Sequence, residues 1–179
     1  MMDAVKLLQK YISPDTELYH IVYTHSRFVA DKALALAVKH PELPIDLVFL
    51  KEAALIHDIG VFKTDAPKIQ CFGTFPYICH GYLGREIVEK EGFSRHALVC
   101  ERHTGTGLSL AEIINNDLPL PHRDLSPVSL EEQLICFADK FFSKSRLNEE
   151  YSVSMVRSRL EKYGSEGVKC FDAWCNLFL

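Results

Sequence analysis

The sequence predicts an all-α fold, a single-domain helical bundle, on three observations. The chain has 179 residues, which is about one domain by length and enough to bury a core without disulfides. Its composition, 47% hydrophobic and 25% charged, is that of an ordinary globular protein. Its apolar residues recur at helical spacing along most of the chain, and alternating strand patterns are few. We therefore expect one domain over residues 1–179.

Three helices are predicted in the first third of the chain. A short amphipathic helix covers residues 3–12. Ser13, as N-cap, and the proline after it open a long helix that runs to about His40. Asp46 caps a third helix through "LVFLKEAALIHD", and Gly60 is placed to end it.

The rest of the chain also reads as helices. A helix through "YICHGYLGREIVEKEG" ends at Gly92, and Ser94 caps the next one, "RHALVCERH". The segment "SLEE" at 129–132 is a capping box that starts the helix "LEEQLICFADKFFSKS". Two further helices follow at about 152–163 and 166–178.

Charge and cysteine content exclude several classes of protein. The formal net charge is -4 and the pI is about 6.1, so there is no general attraction to nucleic acid or to an acidic membrane. No apolar run approaches the roughly 20 residues that span a bilayer, and the first residues do not resemble an export signal. Six cysteines without a C-x-x-C pair favour reduced thiols, mostly in the core. We expect a cytoplasmic protein with neither a membrane nor a nucleic-acid partner.

Ionisable side chains fall on the apolar faces of the predicted helices. His25, for example, shares one helical stripe with Val22 and Val29. The inward-facing set comprises His25, His57, Asp58, His80, His103 and Asp139. A lone histidine on such a face is more often a hydrogen-bonded core residue than a ligand. Six such residues on five helices would each need a partner, because an unpaired buried polar group costs several kcal/mol. One or two divalent cations would satisfy all of them together.

The donor types indicate which metals suit such a site. Imidazole and carboxylate groups without any cysteine favour a first-row transition ion: iron, manganese, nickel, cobalt or zinc. We therefore expect one or two divalent transition-metal ions as cofactor.

Four motifs carry these residues in order after His25: "IHDIG", "CHGYLG", "ERHTGTG" and "CFADKF". The ordered set resembles the HD superfamily of metal-dependent phosphohydrolases over about residues 20–146, and looks most like its small HDIG-type proteins. The segments "RHTGTG", "LPLPHRDLSPVSLEE" and "FADK" carry this closer resemblance. A more distant similarity is to HD-type hydrolases that cut diadenosine tetraphosphate. The resemblance implies a single HD domain with its core at about 20–146, on which C-terminal helices over 152–178 pack.

The resemblance also implies a ligand set. The ligands of a first metal ion would be His25, His57, Asp58 and Asp139. Asp58 would bridge to a second ion, which His80 and His103 would also bind. Such a pair polarises a phosphoryl group and supplies a metal-bound hydroxide as nucleophile, so that no side-chain nucleophile is required. In agreement, the chain contains no Gly-x-Ser-x-Gly elbow, Walker loop or dinucleotide-binding glycine motif.

The expected activity is hydrolysis of a phosphomonoester or phosphoanhydride in a small phosphorylated substrate, a nucleotide. His57, Asp58 and Lys63 are the candidate catalytic residues. Many HD hydrolases carry a lysine directly after "HDIG", where this chain has Val61. Lys63 is the first lysine that follows, and it is a candidate to assist the phosphate.

Several basic residues near the predicted ligands could bind the substrate. The candidates are Arg27, Lys63, Arg85, Arg102, Arg123 and Lys140. Arg102 and Lys140 directly follow or precede a predicted ligand, but neighbours on a helix diverge by about 100°, so a solvated surface role stays equally open. Arg123 lies in the aperiodic, proline-containing stretch 115–128, which is either a lid or a plain connector.

Two other functions stay open at this point. The same ligand set resembles that of HD-type oxygenases, in which a di-iron centre activates dioxygen. A nucleotide-binding regulator could keep the fold without turnover, although the intact set of six ligands argues against it. The apolar C-terminal segment "VKCFDAWCNLFL" could dock on the bundle or on a second copy, so a homo-oligomer is also open.

Overall fold

The computed structural model describes residues 2–179 and has the all-α, single-domain architecture that the sequence predicts. Its α-helices, in chain order, are α1 (Ala4–Tyr11), α2 (Glu17–Lys39), α3 (Leu47–Ile56), α4 (His80–Lys90), α5 (Ser94–Arg102), α6 (Leu110–Asn115), α7 (Leu130–Asp139), α8 (Val153–Leu160) and α9 (Ser165–Phe178). Two short strands, β1 (Asp65–Ala66) and β2 (Cys71–Phe72), pair antiparallel. Short 3-10 helices cover Ile59–Lys63, Pro67–Ile69, Tyr77–Cys79 and Glu161–Tyr163.

The long helix α2 begins later than predicted. Its N-cap is Thr16 rather than Ser13, and the Thr16 hydroxyl accepts a hydrogen bond from the Tyr19 N–H. The Ser13 carbonyl accepts a hydrogen bond of 3.1 Å from the Thr16 N–H, so Ser13 and Pro14 belong to a turn before the helix. The predicted end of this helix is confirmed, since His40 is its C-cap.

Other predicted helix boundaries are also wrong; α7 ends at Asp139, whereas the predicted helix ran to Ser145. Helix α3 ends at Ile56 and not at Gly60, because the chain tightens there toward the 3-10 helix Ile59–Lys63. Gly60 lies inside that 3-10 helix, where the missing side chain permits close packing against α4. Ser94 is the first residue of α5 rather than its N-cap; Phe93 holds the cap position without a side-chain hydrogen bond.

Serine N-caps begin both α6 and α7. Ser129 caps α7 as predicted, accepting from the Glu132 N–H. The Glu132 carboxylate, however, accepts from the Val128 N–H, so the predicted reciprocal bond of a capping box is not made there. The complete box joins Ser109 and Glu112 at the start of α6, a helix that the sequence pattern did not indicate.

The C-terminal helix packs on the bundle. Phe171, Trp174 and Phe178 of α9 are buried in one apolar cluster with Phe137 of α7. The Trp174 indole also donates a hydrogen bond of 3.1 Å to the Gln133 side-chain oxygen. The segment could dock on the bundle or on a second copy of the chain, and these side chains dock on the bundle of their own chain.

All six cysteines are free, and four of them are buried, as the sequence predicts. Across residues 2–179, no helix combines the length and the hydropathy that a membrane span requires.

Close backbone packing brings α4 against α5. A Cβ at Gly81 would lie 2.9 Å from the Cys100 carbonyl oxygen, and one at Gly84 would lie 3.2 Å from the Cys100 Cβ. Glycine at these positions therefore lets α4 approach α5 closely. The ends of α3, α5 and α7, the start of α4 and the middle of α2 meet at one point, which is the candidate site.

Candidate metal centre

The six predicted ligands converge into two adjoining groups that share Asp58. One group comprises His25, His57, Asp58 and Asp139, and the other comprises Asp58, His80 and His103. Within each group the donor atoms all lie within 4.8 Å of one another. The histidines and Asp58 are buried, and the Asp139 side chain is 12% exposed. The arrangement of these residues could bind metal ions.

The two carboxylate oxygens of Asp58 face different groups. Oδ2 lies 3.0 Å from Nε2 of His57 and 3.3 Å from Nε2 of His25. Oδ1 lies 3.4 Å from Nε2 of His80 and 3.4 Å from Nε2 of His103. This is the geometry that a ligand shared between two ions requires.

Asp139 closes the first group from the end of α7. Its Oδ1 lies 2.9 Å from Nε2 of His25 and 3.6 Å from Nε2 of His57. Because α7 ends at Asp139, the carboxylate projects from the end of the helix toward α2.

Backbone carbonyls orient three of the four histidines. Nδ1 lies 2.7 Å from a carbonyl oxygen three residues earlier in His57, His80 and His103. A carbonyl only accepts, so Nδ1 carries a proton, and Nε2 is the ring nitrogen that faces Asp58. This contact behind the ligand is the usual way in which a protein orients a metal-binding imidazole.

The contacts among the donor atoms themselves also fit cations. Nε2 of His80 lies 2.9 Å from Nε2 of His103, so two lone pairs face each other unless a cation or a proton lies between them. His57 Nε2 and Asp58 Oδ1 are buried without a hydrogen bond to any residue in 2–179. Such atoms are costly to bury unpaired, and a divalent ion in each group would satisfy them.

The two groups differ in the protonation of their histidines. Burial alone would lower the pKa of His57, but the Asp58 and Asp139 carboxylates raise it to about 9. Burial and the neighbouring His103 lower the pKa of His80 to about 3, and burial also lowers the pKa of His103. Without metal, His57 is therefore the protonated imidazole at neutral pH, and His80 and His103 are neutral.

Two lysines lie against the ligand carboxylates. Lys140 Nζ lies 2.8 Å from Asp139 Oδ2, and Lys144 Nζ lies 2.6 Å from Asp58 Oδ2. Burial would raise the pKa of both carboxyls, but the charges of His57 and Lys144 hold the pKa of Asp58 well below its usual range. The charge of Lys140 has the same effect on Asp139. Both carboxylates are therefore ionised and available as ligands.

Three of the arginines predicted to bind substrate face protein carboxylates. Arg85 and Arg123 both contact the buried carboxylate of Glu101, one on each of its oxygens. Arg102 donates to Glu132 at 3.0 Å. Their guanidinium groups thus have protein partners, and a role in substrate binding stays a prediction for each.

The other three basic residues predicted to bind substrate have different surroundings. Arg27 is exposed on α2, with its guanidinium carbon 5.6 Å from the Phe28 ring centre. Lys63 is half-buried at the last position of its 3-10 helix, where its carbonyl accepts from the Thr74 N–H. Lys140 is held by Asp139. For Arg27, Lys63 and Lys140 a role toward substrate also stays a prediction.

The stretch 115–128 is attached to the bundle at a few residues. Its Leu120 and Leu125 are buried in an apolar cluster with Leu83 of α4 and Ile113 of α6. Arg123, in the same stretch, contacts Glu101 of α5. These contacts hold the segment against the bundle beside α5.

Two residues at the site were missed by the sequence reasoning. Lys144 falls inside the helix predicted through "LEEQLICFADKFFSKS", but α7 ends at Asp139, so the predicted helical position of this side chain was wrong. Tyr77, a residue 40% exposed, precedes α4, and its ring centre lies 4.7 Å from that of His80 in a stacked arrangement. The predicted helix began at Tyr77, but a 3-10 helix covers Tyr77–Cys79 and α4 begins only at His80, so the α-helical pattern did not place this ring.

Comparison with known proteins agrees with this geometry. The family model of the HD domain matches residues 22–144. An uncharacterized protein of Methanocaldococcus jannaschii is 33% identical over 145 residues, which cover 79% of this chain and 78% of that protein. A tRNA (cytidine(56)-2'-O)-methyltransferase of Picrophilus torridus is 33% identical over 106 residues, 59% of this chain and 27% of that enzyme.

Solved structures share the fold. The HD domain of the L. monocytogenes phosphodiesterase PgpH superposes with a TM-score of 0.56 at 17% identity, covering 93% of this chain and 84% of that one. A second structure of that domain, in complex with cyclic-di-AMP, matches equally well. With the family model matching most of the chain, and with its histidines and aspartates gathered around Asp58, the protein belongs to the HD domain family.

Proposed function

We propose that the protein is a metal-dependent phosphohydrolase that cleaves a phosphomonoester or phosphoanhydride of a nucleotide. The observation that carries the proposal is that the two carboxylate oxygens of Asp58 face two separate groups of imidazole nitrogens. Two ions held in this way would lie close enough to act on one phosphoryl group. The nitrogen and oxygen donors suit iron, manganese, nickel, cobalt or zinc.

The residues of the chain have distinct tasks in this proposal. When bound, the ions would supply Lewis-acid activation of the phosphoryl group and of a water molecule. Asp58 and the histidines hold and space them, with the backbone carbonyls fixing three of the rings. Lys140 compensates the charge of Asp139. Burial of the ligands keeps bulk water away from the reacting centre.

A nucleotide is favoured by two observations. The structurally similar HD domain from L. monocytogenes was solved in complex with cyclic-di-AMP. In this chain, the partly exposed ring of Tyr77 stacks on His80 at the edge of the site, and an aromatic face of this kind can stack with a nucleobase. We extend this proposal to Lys63 as a further residue that assists the phosphate.

The test combines elemental analysis of the purified protein with a phosphate-release screen. The screen covers mononucleotides, dinucleoside polyphosphates, cyclic dinucleotides and sugar phosphates, each with manganese, iron, cobalt, nickel or zinc added. We expect one or two bound ions per chain. We also expect release of phosphate, or of a nucleoside monophosphate, from at least one nucleotide substrate. A protein that binds no transition metal would contradict the proposal.

The same preparation separates the two alternatives. The donor set also suits a di-iron centre, so consumption of oxygen with a polyol or phosphonate, in place of hydrolysis, would favour an oxygenase. Tight binding of nucleotides by the metal-loaded protein without cleavage of any would favour a regulator.

A further inference from the structure

Lys144 places a buried ammonium group at the candidate site. It belongs to the irregular segment after α7, yet its side chain is only 9% exposed. Its Nζ lies 2.6 Å from Asp58 Oδ2 and 5.9 Å from the centre of the Tyr77 ring. The ammonium group thus contacts a fully buried carboxylate and lies near an aromatic ring at the edge of the site.

Lys144 and Lys140 differ in what they contact. Lys140 donates to Asp139 Oδ2 at 2.8 Å and to the His103 carbonyl at 3.5 Å, so two protein acceptors hold it. Among residues 2–179, the ion-pair partner of Lys144 is Asp58 alone. The contact uses Oδ2, the same oxygen that faces His57 and His25.

The negative charge that compensates Lys144 therefore lies on an atom that a metal ion would also contact. An ion bound to Asp58 Oδ2 draws on the same negative charge that compensates the ammonium group. Lys144 would then be a buried cation beside further cations, which is unfavourable unless an anion enters the site. A phosphate group carries the charge and the oxygen acceptors that such a site would bind.

We propose that Lys144 binds a phosphate oxygen of the substrate, so that the phosphoryl group is held jointly by this ammonium group and by the ions at Asp58. The inference deepens the proposed function and rests on it for the substrate class. It assigns a positive charge at the site to the segment after α7, whereas Val61, which directly follows "HDIG", is buried and uncharged.

A different role for Lys144 predicts different behaviour. If the lysine only held Asp58 in place of a metal ion, its removal would tighten metal binding and leave phosphate binding unchanged. If it only positioned Asp58, its removal would weaken metal binding. Metal affinity and phosphate affinity, measured separately, therefore distinguish these roles.

The test uses Lys144→Met, which keeps the length of the side chain and removes the charge. The matched control is Lys32→Met: Lys32 pairs with Glu150 at 2.7 Å, near the end of the same segment, and its side chain is 18% exposed. Manganese is titrated into each protein by calorimetry, and inorganic phosphate is then titrated into the manganese-loaded protein. Circular dichroism confirms that each variant is folded.

We expect Lys144→Met to bind manganese at least as tightly as the wild type, because a repelling charge is removed, and to bind phosphate about ten- to a hundredfold more weakly. Lys32→Met should match the wild type in both titrations. Lys144→Arg should recover most of the phosphate affinity, and Lys144→Gln takes the place of the methionine variant if that variant does not fold.

Three results would overturn the inference: unchanged phosphate affinity in Lys144→Met, a parallel loss of manganese, or a loaded wild-type protein that binds no phosphate. Because the titrations need no turnover, they separate this inference from the proposed function. Phosphate binding that depends on Lys144 in a protein that hydrolyses nothing would contradict only the proposed function. If the protein hydrolyses a substrate but its phosphate affinity is the same with and without the Lys144 side chain, only the inference is contradicted.

Discussion

The backbone of Gly60 lies directly against the backbone of Gly84. A Cβ added to Gly60 would lie 2.3 Å from the Gly84 amide nitrogen and 2.3 Å from the His80 carbonyl oxygen. Neither atom can move without shifting α4. This contact therefore sets the distance between Asp58, two residues before Gly60, and His80 at the start of α4.

Replacing Gly60 with alanine should destabilise the protein and move His80 away from Asp58. Overpacking of this kind costs roughly 1–3 kcal/mol or more in the free energy of unfolding, because backbone must shift to admit the methyl group. Denaturant unfolding gives the loss of stability, and metal content gives the displacement of His80.

Gly92→Ala is the control for this variant. Gly92 has a φ of +88 and nothing within 4 Å of an added Cβ, so alanine there strains the backbone far from the ligands. We expect a loss of stability with normal metal content. A Gly60→Ala protein with unchanged stability would contradict the role given to this contact.

Asp58→Ala should remove metal from both groups, because each of its carboxylate oxygens faces one group. We expect metal content close to zero by elemental analysis. Asp139→Ala, which removes a donor from the first group alone, should leave the second group able to bind. Undiminished metal content in Asp58→Ala would count against the bridging role.

His80→Ala and His103→Ala should each weaken the second group and spare the first, since both histidines belong only to the second. If the wild type holds two ions, each variant should hold about one. His96→Ala is the control, because His96 pairs with Glu52 at 3.2 Å and is not among the ligands. Loss of both ions in either ligand variant would show that the two groups bind as one unit.

Metal binding should release a proton from His57. Its pKa of about 9 means that this imidazole is protonated at pH 7 in the metal-free protein, and a metal ion binds only the neutral form. Calorimetric titrations in buffers of different ionisation heat should give about one proton released per protein at pH 7. His80, with a pKa of about 3, is already neutral and should contribute none.

The proton count should also fall as the pH approaches 9, because less of His57 then carries a proton before binding. A proton count that does not change between pH 7 and 9 would contradict the assignment to His57.

Tyr77→Leu should weaken recognition of a nucleobase without disturbing the metal. Only the ring is lost, since the Tyr77 carbonyl that holds His80 Nδ1 belongs to the backbone. We expect KM for a nucleotide substrate to rise about fivefold or more, with little change for a small phosphate ester that has no base. Phe72→Leu, which removes a ring that is 73% exposed on β2, is the matched control. An equal effect on both substrates would exclude base stacking.

The sequence by itself determined the helical architecture and the set of inward-facing histidines and aspartates that converge in the fold. Apolar residues at helical spacing define the buried face of each helix, and a polar residue on that face must find a partner inside the fold. This reasoning is local to each helix, and for that reason it located the inward-facing residues from His25 to Asp139 before any coordinates. It was less exact at helix ends, where Ser13 and Thr16 offer similar caps and the turn between them decides which one is used.

Tertiary structure alone decided how the elements meet. It assigned each oxygen of Asp58 to a different group, and it paired Arg85 and Arg123 with Glu101. It also brought Lys144 to Asp58 from beyond the end of a helix. Periodicity carries no information about such contacts, because it relates residues only within one continuous element. The distance between side chains on different elements depends on backbone packing, such as the approach of Gly60 to α4, which forms only when the whole chain folds.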